Sequence, residues 1–343
     1  MGSSKNVYAS VKSYSKRGKL LRKDDFQTLA ESRDLDELMT RIKNTVYANA
    51  VADVQKPYTS HNIESALRNY LAEVHYGISK TAGGGILDAY YLKFIISNLK
   101  QILKGKILGK SQEEIETNIN LHAEELIKQR DVVIKALVAK DLEEAVASLN
   151  QTEFAEDIVK AVALYSDKKN LQVFDIFFDK ILISRLVKAL KSGDIDASKL
   201  VGMDVDFYNI LSVIRGKFWG LDEQQIQDLI IVQSLAAKDL LGRMISANTI
   251  RDVFNELSNS KYKDLIPQAE DELDAITEFE RSFELAIYQA SLNSFTKMFS
   301  LATTVGITKL TAFEVRNLAA IAYAVEQKIP TETTMSKLIL ETE

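Results

Sequence analysis

The sequence predicts an all-α protein made of three similar helical bundles related by pseudo-threefold internal symmetry. Apolar residues recur at helical spacing along most of the chain, and the alternation typical of strands is nearly absent. Three sequence blocks also recur in the same order, at intervals of roughly 105 to 111 residues. Only three prolines occur in 343 residues, which leaves room for long helices because interior proline breaks them.

The helical periodicity is clearest in residues 36–54, 62–78, 155–165, 174–190 and 279–299. The positions of the repeated blocks predict the domain boundaries. We expect an N-terminal helix in residues 1–33, a first repeat in 34–140, a second in 141–248 and a third in 249–343.

The first block is DLDELMTRIKNTVYA (34–48), which matches DLEEAVASLNQTEFA (141–155) and, more loosely, TIRDVFNELSNSKYK (249–263). In the second block an apolar residue followed by an acidic one is predicted to open a helix, where the positive end of the helix dipole favours the acid. The pairs are Ile63-Glu64, Phe174-Asp175 and Phe279-Glu280.

The third block aligns NLKQILKGKILGKSQEEI (98–115) with NILSVIRGKFWGLDEQQI (209–226), and its first half with NLAAIAYAVEQK (317–328). Gly109-Lys110-Ser111 resembles the end of a phosphate-binding loop. However, only three residues separate it from Gly105, and a helical segment precedes it instead of a strand. A glycine followed by a capping Ser-x-x-Glu or Asp-x-x-Gln instead predicts a helix–turn–helix joint.

Each third block begins with an asparagine, a residue that competes for backbone hydrogen bonds within helices. The three are Asn98, Asn209 and Asn317. One hypothesis is that each holds a neighbouring turn at the same place in its repeat. The other is that each is a solvated residue repeated by descent.

The composition excludes several kinds of site. The chain has no cysteine, and its three histidines are not spaced as helical metal ligands, so we expect no catalytic, cofactor or metal site. A net charge of −5 argues against a dedicated nucleic-acid binder. No apolar run is long enough to span a bilayer or resembles a signal core, so we expect a cytoplasmic protein.

The chain from Tyr8 to Tyr47, YASVKSYSKRGKLLRKDDFQTLAESRDLDELMTRIKNTVY, resembles the C subunit of A/V-type (archaeal-type) ATP synthases, the counterpart of the d subunit in vacuolar ATPases. The resemblance continues through residues 98–106, DFYNILSVIRGKFWGL (206–221), Phe279-Glu280 and FEVRNL (313–318). The sequence departs from the family at LIIVQSLAAKDLL (229–241), where the family often has a glycine-containing loop.

The resemblance implies a funnel of three bundles and a mechanical role without catalysis. Such a subunit is a central-stalk part of the rotor. It couples the membrane proteolipid ring to the central shaft and is peripheral to the membrane on its cytoplasmic side. Contacts with the ring are expected to mix apolar and basic groups. The candidate partner-contact residues are Lys104, Lys106, Arg215, Lys217 and Trp219. A second interpretation is open, in which the basic residues only stabilise helix C-termini.

Three other interpretations have weaker support. A prenyl-transferase-like enzyme would use aspartates such as Asp271 and Asp274 to hold magnesium, but only one such pair occurs, in a highly acidic stretch. A generic helical-repeat adaptor normally has repeats of about 20 to 50 residues, shorter than those found here. The basic residues between Lys12 and Lys23 favour one solvated helix face over contact with nucleic acid or anionic lipid.

Overall fold

All regular secondary structure in the described part of the chain is helical. The computed structural model describes residues 4–82, 85–190, 194–231 and 238–341. The prediction of an all-α protein is confirmed for these residues.

The helices are numbered in chain order. Those of the first half are α1 (Ser4–Arg17), α2 (Lys23–Ala30), α3 (Leu35–Ile42), α4 (Ser60–Ala82), α5 (Ile86–Ile107), α6 (Gln112–Glu116), α7 (His122–Ile127), α8 (Arg130–Val138) and α9 (Leu142–Ser148). Those of the second half are α10 (Ala155–Lys168), α11 (Gln172–Ala189), α12 (Ile195–Phe218), α13 (Glu223–Leu229), α14 (Lys238–Ser246), α15 (Ile250–Glu256), α16 (Glu272–Asn293), α17 (Leu301–Glu326) and α18 (Thr331–Lys337). Short 3₁₀ turns occupy Leu257–Asn259, Lys263–Leu265 and Ser294–Thr296.

The described residues form two compact units. The first comprises those within 1–88, 193–200 and 284–343. Its centre is α17, which packs against α1, α2, α3 and α4. Because α17 is surrounded by other helices, it buries apolar residues on different sides, such as Val305 and Ile307, which are two positions apart. Its buried threonines stay satisfied by bonding the helix itself, as Thr308 Oγ1 does with Thr304 O at 2.8 Å.

The second unit comprises the described residues within 89–192 and 201–283. Helices α10 and α11 pack together in it, as do α8 with α9 and α14 with α15. Its core is rich in phenylalanine: Phe174, Phe178, Phe254, Phe279 and Phe283 are each less than 2% exposed. Phe279 and Phe283 meet edge to face with ring centroids 5.7 Å apart, a favoured aromatic geometry.

The first block ends its helix earlier than the sequence predicts. Helical periodicity extends over 36–54, but α3 ends at Ile42 and turns follow. The hydroxyl of Thr45 donates to Ile42 O at 2.7 Å and accepts from the Tyr47 amide at 3.1 Å. This side chain satisfies backbone groups that a longer helix would use, so the chain turns here.

The apolar-acidic pair of the second block lies at the start of a helix in only some of its copies. Asp175 lies in the first turn of α11 as predicted. Glu64 is already the fifth residue of α4, and Phe279-Glu280 lies about two turns inside α16. The prediction was wrong for the third copy because Asp271 starts α16 earlier, accepting bonds from the Leu273 and Asp274 amides at 2.9 and 3.0 Å.

The departure from the family pattern at 229–241 is described only in part. Helix α13 ends at Leu229 and α14 begins at Lys238. Residues 232–237 lie outside the described residues. Within the described helices, none combines the length and hydropathy that a bilayer crossing requires.

Candidate partner-binding surface

Helices α5 and α12 end in the same way. Gly109 and Gly220 adopt φ values of 70° and 66°, in the left-handed region that glycine occupies without strain. The next amides bond back to the helix, from Lys110 N to Gly105 O at 3.0 Å and from Leu221 N to Gly216 O at 2.9 Å. These bonds form Schellman motifs, the usual helix C-caps.

The helix that follows each of these turns is capped by a side chain. Ser111 caps α6 and Asp222 caps α13, each in a reciprocal capping box with the residue three positions later. The prediction of a helix–turn–helix joint in place of a phosphate loop is confirmed, since Ser111 Oγ accepts the Glu114 amide at 3.2 Å.

A third joint of the same form occurs where the sequence match stops. After α17, Lys328 occupies the left-handed region with φ 54°, and Ile329 N bonds to Ala324 O at 2.9 Å. Pro330 then precedes α18. This joint has neither the glycine nor the capping serine or aspartate of the other two, so the sequence gives no sign of it.

The three asparagines make the same contact. Asn209 is fully buried; its Nδ2 donates to Ile231 O at 3.0 Å, and its Oδ1 accepts from Ile231 N at 2.7 Å. Asn317 makes the same pair of bonds with Ile339, at 2.7 and 3.1 Å. Each partner lies 22 residues after its asparagine. The amide thus fixes the chain leaving the short helix against the long one.

Asn98 repeats this arrangement in the second unit, with one addition. It bonds to both backbone groups of Asn120, at 2.8 and 3.2 Å, again over 22 residues. Its Nδ2 also donates to the buried Glu124 carboxylate at 2.8 Å. The hypothesis that each asparagine holds a turn at an equivalent place is confirmed, and the solvated alternative is wrong because all three are at most 3% exposed.

Close packing within two of the joints requires glycine. A Cβ built on Gly216 would lie 2.8 Å from Ile226 Cγ1, and one built on Gly105 would lie 2.6 Å from Ile115 Cγ1. Both isoleucines are at most 2% exposed. The glycines therefore let α6 and α13 lie directly against the long helices α5 and α12 that precede them.

Two of the sequence-predicted contact residues form ion pairs inside the second unit. Lys104 Nζ bonds to Asp175, and Arg215 Nη2 bonds to Glu280 Oε1 at 2.8 Å. The two cations occupy equivalent positions in the third block, and the two acids occupy equivalent positions in the second. Opposite charges at matching positions in two copies were the signal that could have identified these pairs from the sequence.

The other three predicted residues have different environments. Lys106 Nζ donates to Ala139 O, the carbonyl of the C-cap residue of α8. Lys217 and Trp219, at the end of α12, are partly exposed, and their side chains form no hydrogen bond or ion pair with other described residues. Of the five residues, Lys217 and Trp219 are thus the most available to a partner.

Two exposed apolar residues near these helix ends were not predicted from the sequence. Phe218 is 43% exposed at the end of α12, and Leu108 is 59% exposed just after α5. Periodicity gave no signal because exposure at a helix end depends on what packs there. We call Leu108, Lys217, Phe218 and Trp219 the tip residues. Apolar and aromatic groups beside the cation of Lys217 suit a protein-binding surface.

The aspartates considered for a magnesium site have a structural role. Asp271 Oδ1 accepts two backbone amides at the start of α16, including that of Asp274. In the described part of the chain, no group of three or more His, Asp or Glu side chains is placed to hold a metal.

These features define an all-α protein built on a repeated helix–turn–helix joint, with exposed groups at helix ends suited to contact other proteins. Comparison with known proteins identifies the family. The chain belongs to the ATP synthase (C/AC39) subunit family, which matches residues 9–337. The resemblance found in the sequence is thereby confirmed.

Individual relatives agree over nearly the whole chain. It is 26% identical to the A-type ATP synthase C subunit of Methanocaldococcus jannaschii, over 97% of this chain and 86% of the relative. It is 24% identical to the A-type ATP synthase C subunit of Pyrococcus horikoshii, over 95% of this chain and 88% of the relative.

Proposed function

We propose that this protein is a non-catalytic central-stalk subunit of an A/V-type ATP synthase, which couples the membrane proteolipid ring to the central shaft during ATP synthesis or ATP-driven ion pumping. The family match and the two archaeal relatives support this assignment. It implies a location at the cytoplasmic face of the membrane as a peripheral part of the complex. No cofactor and no nucleic acid take part in the proposed role.

The observation that carries the mechanical part of the proposal is the threefold recurrence of the asparagine contact. A part that transmits torque must resist bending between its helices. In each joint the buried amide bonds both backbone groups of one residue, so the following segment can neither slide nor rotate without breaking hydrogen bonds inside the protein. Close-packed helices supply the remaining stiffness.

The same recurrence supports three bundles arranged about a pseudo-threefold axis as a funnel. We propose that residues 34–140, 141–248 and 249–343 are the three repeats. They are preceded by residues 1–33, which contain the two helices α1 and α2 in place of the single N-terminal helix predicted from the sequence. Two hydrogen bonds between different repeats favour a cyclic arrangement, in which each repeat contacts the next. Tyr262 of the third repeat bonds Asp206 of the second, and Tyr47 of the first bonds Glu314 of the third. Asp206 and Glu314 each lie three residues before the repeat's asparagine.

We further propose that the tip residues, together with Lys106, contact the proteolipid ring. Mixed apolar and basic groups suit a surface close to a membrane. Lys104 and Arg215 belong to the internal ion pairs and would act indirectly, by positioning the ends of α5 and α12.

The assignment is tested by affinity purification of the tagged protein from its native membrane, followed by identification of co-purifying subunits. We expect proteolipid and shaft subunits together. Recovery of other proteins without any rotor component would contradict the proposal and favour a generic helical-repeat adaptor.

The contact surface is tested by reversing the charge of Lys217 and by removing the indole ring of Trp219. Lys217→Glu and Trp219→Ala should reduce recovery of the proteolipid subunits. Lys135→Glu, on an exposed position of α8, is the matched control and should leave recovery unchanged. Equal recovery with Lys217→Glu and Lys135→Glu would favour the interpretation in which the basic residues only stabilise helix ends.

A further inference from the structure

Glu314 of α17 is a buried carboxylate with only neutral donors. It is 5% exposed. Its Oε2 accepts the hydroxyl of Tyr47 at 2.5 Å, and its Oε1 accepts the backbone N–H of Leu21. Leu21 lies in the connection between α1 and α2, and Tyr47 lies in the turns after α3. One side chain thus holds two separate segments of the first unit against α17.

The corresponding positions in the other repeats have different chemistry. Asp206 also accepts a tyrosine hydroxyl, that of Tyr262 at 2.5 Å, but the ammonium of Lys261 lies 2.8 Å from the same carboxylate. At the remaining pair of corresponding positions lie Ile95 of the first predicted repeat and Phe154 of the second, both buried and apolar. Two of the three positions therefore avoid an unneutralised buried charge, by an ion pair or by apolar side chains, whereas Glu314 does not.

The groups that face Glu314 provide no compensating cation among the described residues. They are the phenols of Tyr47, Tyr70 on α4 and Tyr288 on α16, and the carboxylate of Asp25 on α2. The connection after α1 contributes a backbone amide. Burial raises the pKa of Glu314 to about 7, and Asp25 acts in the same direction, while the bonds from Tyr47 and Leu21 oppose the rise.

We propose that Glu314 is a protonation-controlled latch, which holds the α1–α2 connection and the Tyr47 turn firmly against α17 when its carboxyl is neutral and less firmly when it is ionised. A neutral carboxyl still accepts the Leu21 amide through its carbonyl oxygen, and it shares a hydrogen bond with the Tyr47 hydroxyl. It does this without the cost of keeping an unpaired charge away from water. This inference stands on contacts within one unit and is independent of the proposed rotor function.

The direction of the pH dependence follows from the raised pKa. A carboxyl that binds its proton more tightly in the folded state contributes stability that is complete below the unfolded pKa of 4.5 and is lost as the pH rises through about 7. The loss corresponds to a change on the order of 100-fold in the folding equilibrium constant. A modest change in pH near neutrality would therefore change the fraction of latched molecules.

The first test measures the titration of the carboxyl directly in the full-length protein. Carbon-13 NMR with labelled glutamate would follow Glu314, assigned by the signal missing in Glu314→Gln. We expect a midpoint near 7, and a higher midpoint in Tyr47→Phe because a donor to the carboxylate is lost. A midpoint below 5 in the wild-type protein would overturn the proposal.

The second test compares stability against pH. In urea unfolding, the folding equilibrium constant of the wild-type protein should fall on the order of 100-fold between pH 5 and pH 8. This fall is measured relative to Glu314→Gln, which cannot ionise. Asp206→Asn is the matched control: it alters the corresponding carboxylate that has a lysine partner, and it should keep the wild-type pH slope. The same slope in Glu314→Gln as in the wild type would contradict the latch.

Discussion

The contact made by Asn209 leads to a sharp prediction about stability. In Asn209→Ala, the N–H and C=O of Ile231 lose the partners that lie 2.7 and 3.0 Å away. Asn209 is fully buried and Ile231 is 8% exposed, so water does not readily replace the amide. Each buried group left without a partner costs about 1–3 kcal/mol, so we expect a loss of roughly 2–6 kcal/mol of unfolding free energy.

The assay is urea unfolding followed by far-UV circular dichroism, together with hydrogen exchange of the Ile231 amide. Exchange at that amide should accelerate strongly in Asn209→Ala. In Asn209→Asp the side chain still accepts the Ile231 amide but donates nothing to its carbonyl, so part of the protection should remain while stability falls.

The control is Asn44→Ala, which removes an exposed asparagine bonded to Thr40 O at 3.2 Å. A surface change of this kind should stay within about 0.5 kcal/mol of the wild type. The reasoning is refuted if Asn209→Ala and Asn317→Ala both unfold as the control does, because the paired bonds would then contribute nothing to holding the joints.

The remaining predictions concern the same joints. Gly216→Ala should destabilise the protein by about 1–3 kcal/mol because its new methyl overlaps Ile226 Cγ1, and thermal melting should show a smaller cost in an Ile226→Ala background, where that atom is absent. Gly242→Ala, in α14 with nothing within 4 Å of the new methyl, should instead stabilise by about 0.5–1 kcal/mol. Gly220→Ala should cost about 1–2 kcal/mol at φ 66°, whereas Lys328→Gly, at φ 54°, should gain a similar amount in urea unfolding. The critical outcome is that Gly220→Ala and Lys328→Gly change the stability in opposite directions. A change in the same direction would mean that backbone strain does not govern these C-caps.

The features that could be predicted from the sequence are mostly those that depend on local chemistry. Helical periodicity, the glycine C-cap at Gly109 and the capping box at Ser111 involve residues within a few positions of each other, so the signals are present in short segments. The asparagine contacts span 22 residues, yet they could be hypothesised because the same residue recurs at matching positions. Repetition within one chain substitutes for the information that a single local segment lacks.

The missed features depend on distant partners. The ion pair of Arg215 with Glu280 joins residues 65 positions apart, and Tyr47 and Glu314 are 267 apart. Nothing local marks Glu314 as buried beside a phenol. The third joint was missed for another reason: Lys328 accepts left-handed strain that glycine would avoid, so the backbone geometry persists after its sequence signature has been lost.

The contrast between the joints and the core indicates how the three joints keep one geometry while the surrounding sequence differs. Equivalent core positions in the predicted repeats carry side chains of different size, such as Ile63 in the first and Phe174 in the second. Such a difference requires the neighbouring side chains to differ as well. The pair of bonds that each asparagine makes with backbone groups has no such dependence, because every residue type except proline presents the same N–H and C=O. It therefore remains effective whether its partner is Asn120 or Ile231. Contacts of this kind fix the chain after the short helix against the long helix independently of core identity, which the proposed torque-transmitting role requires.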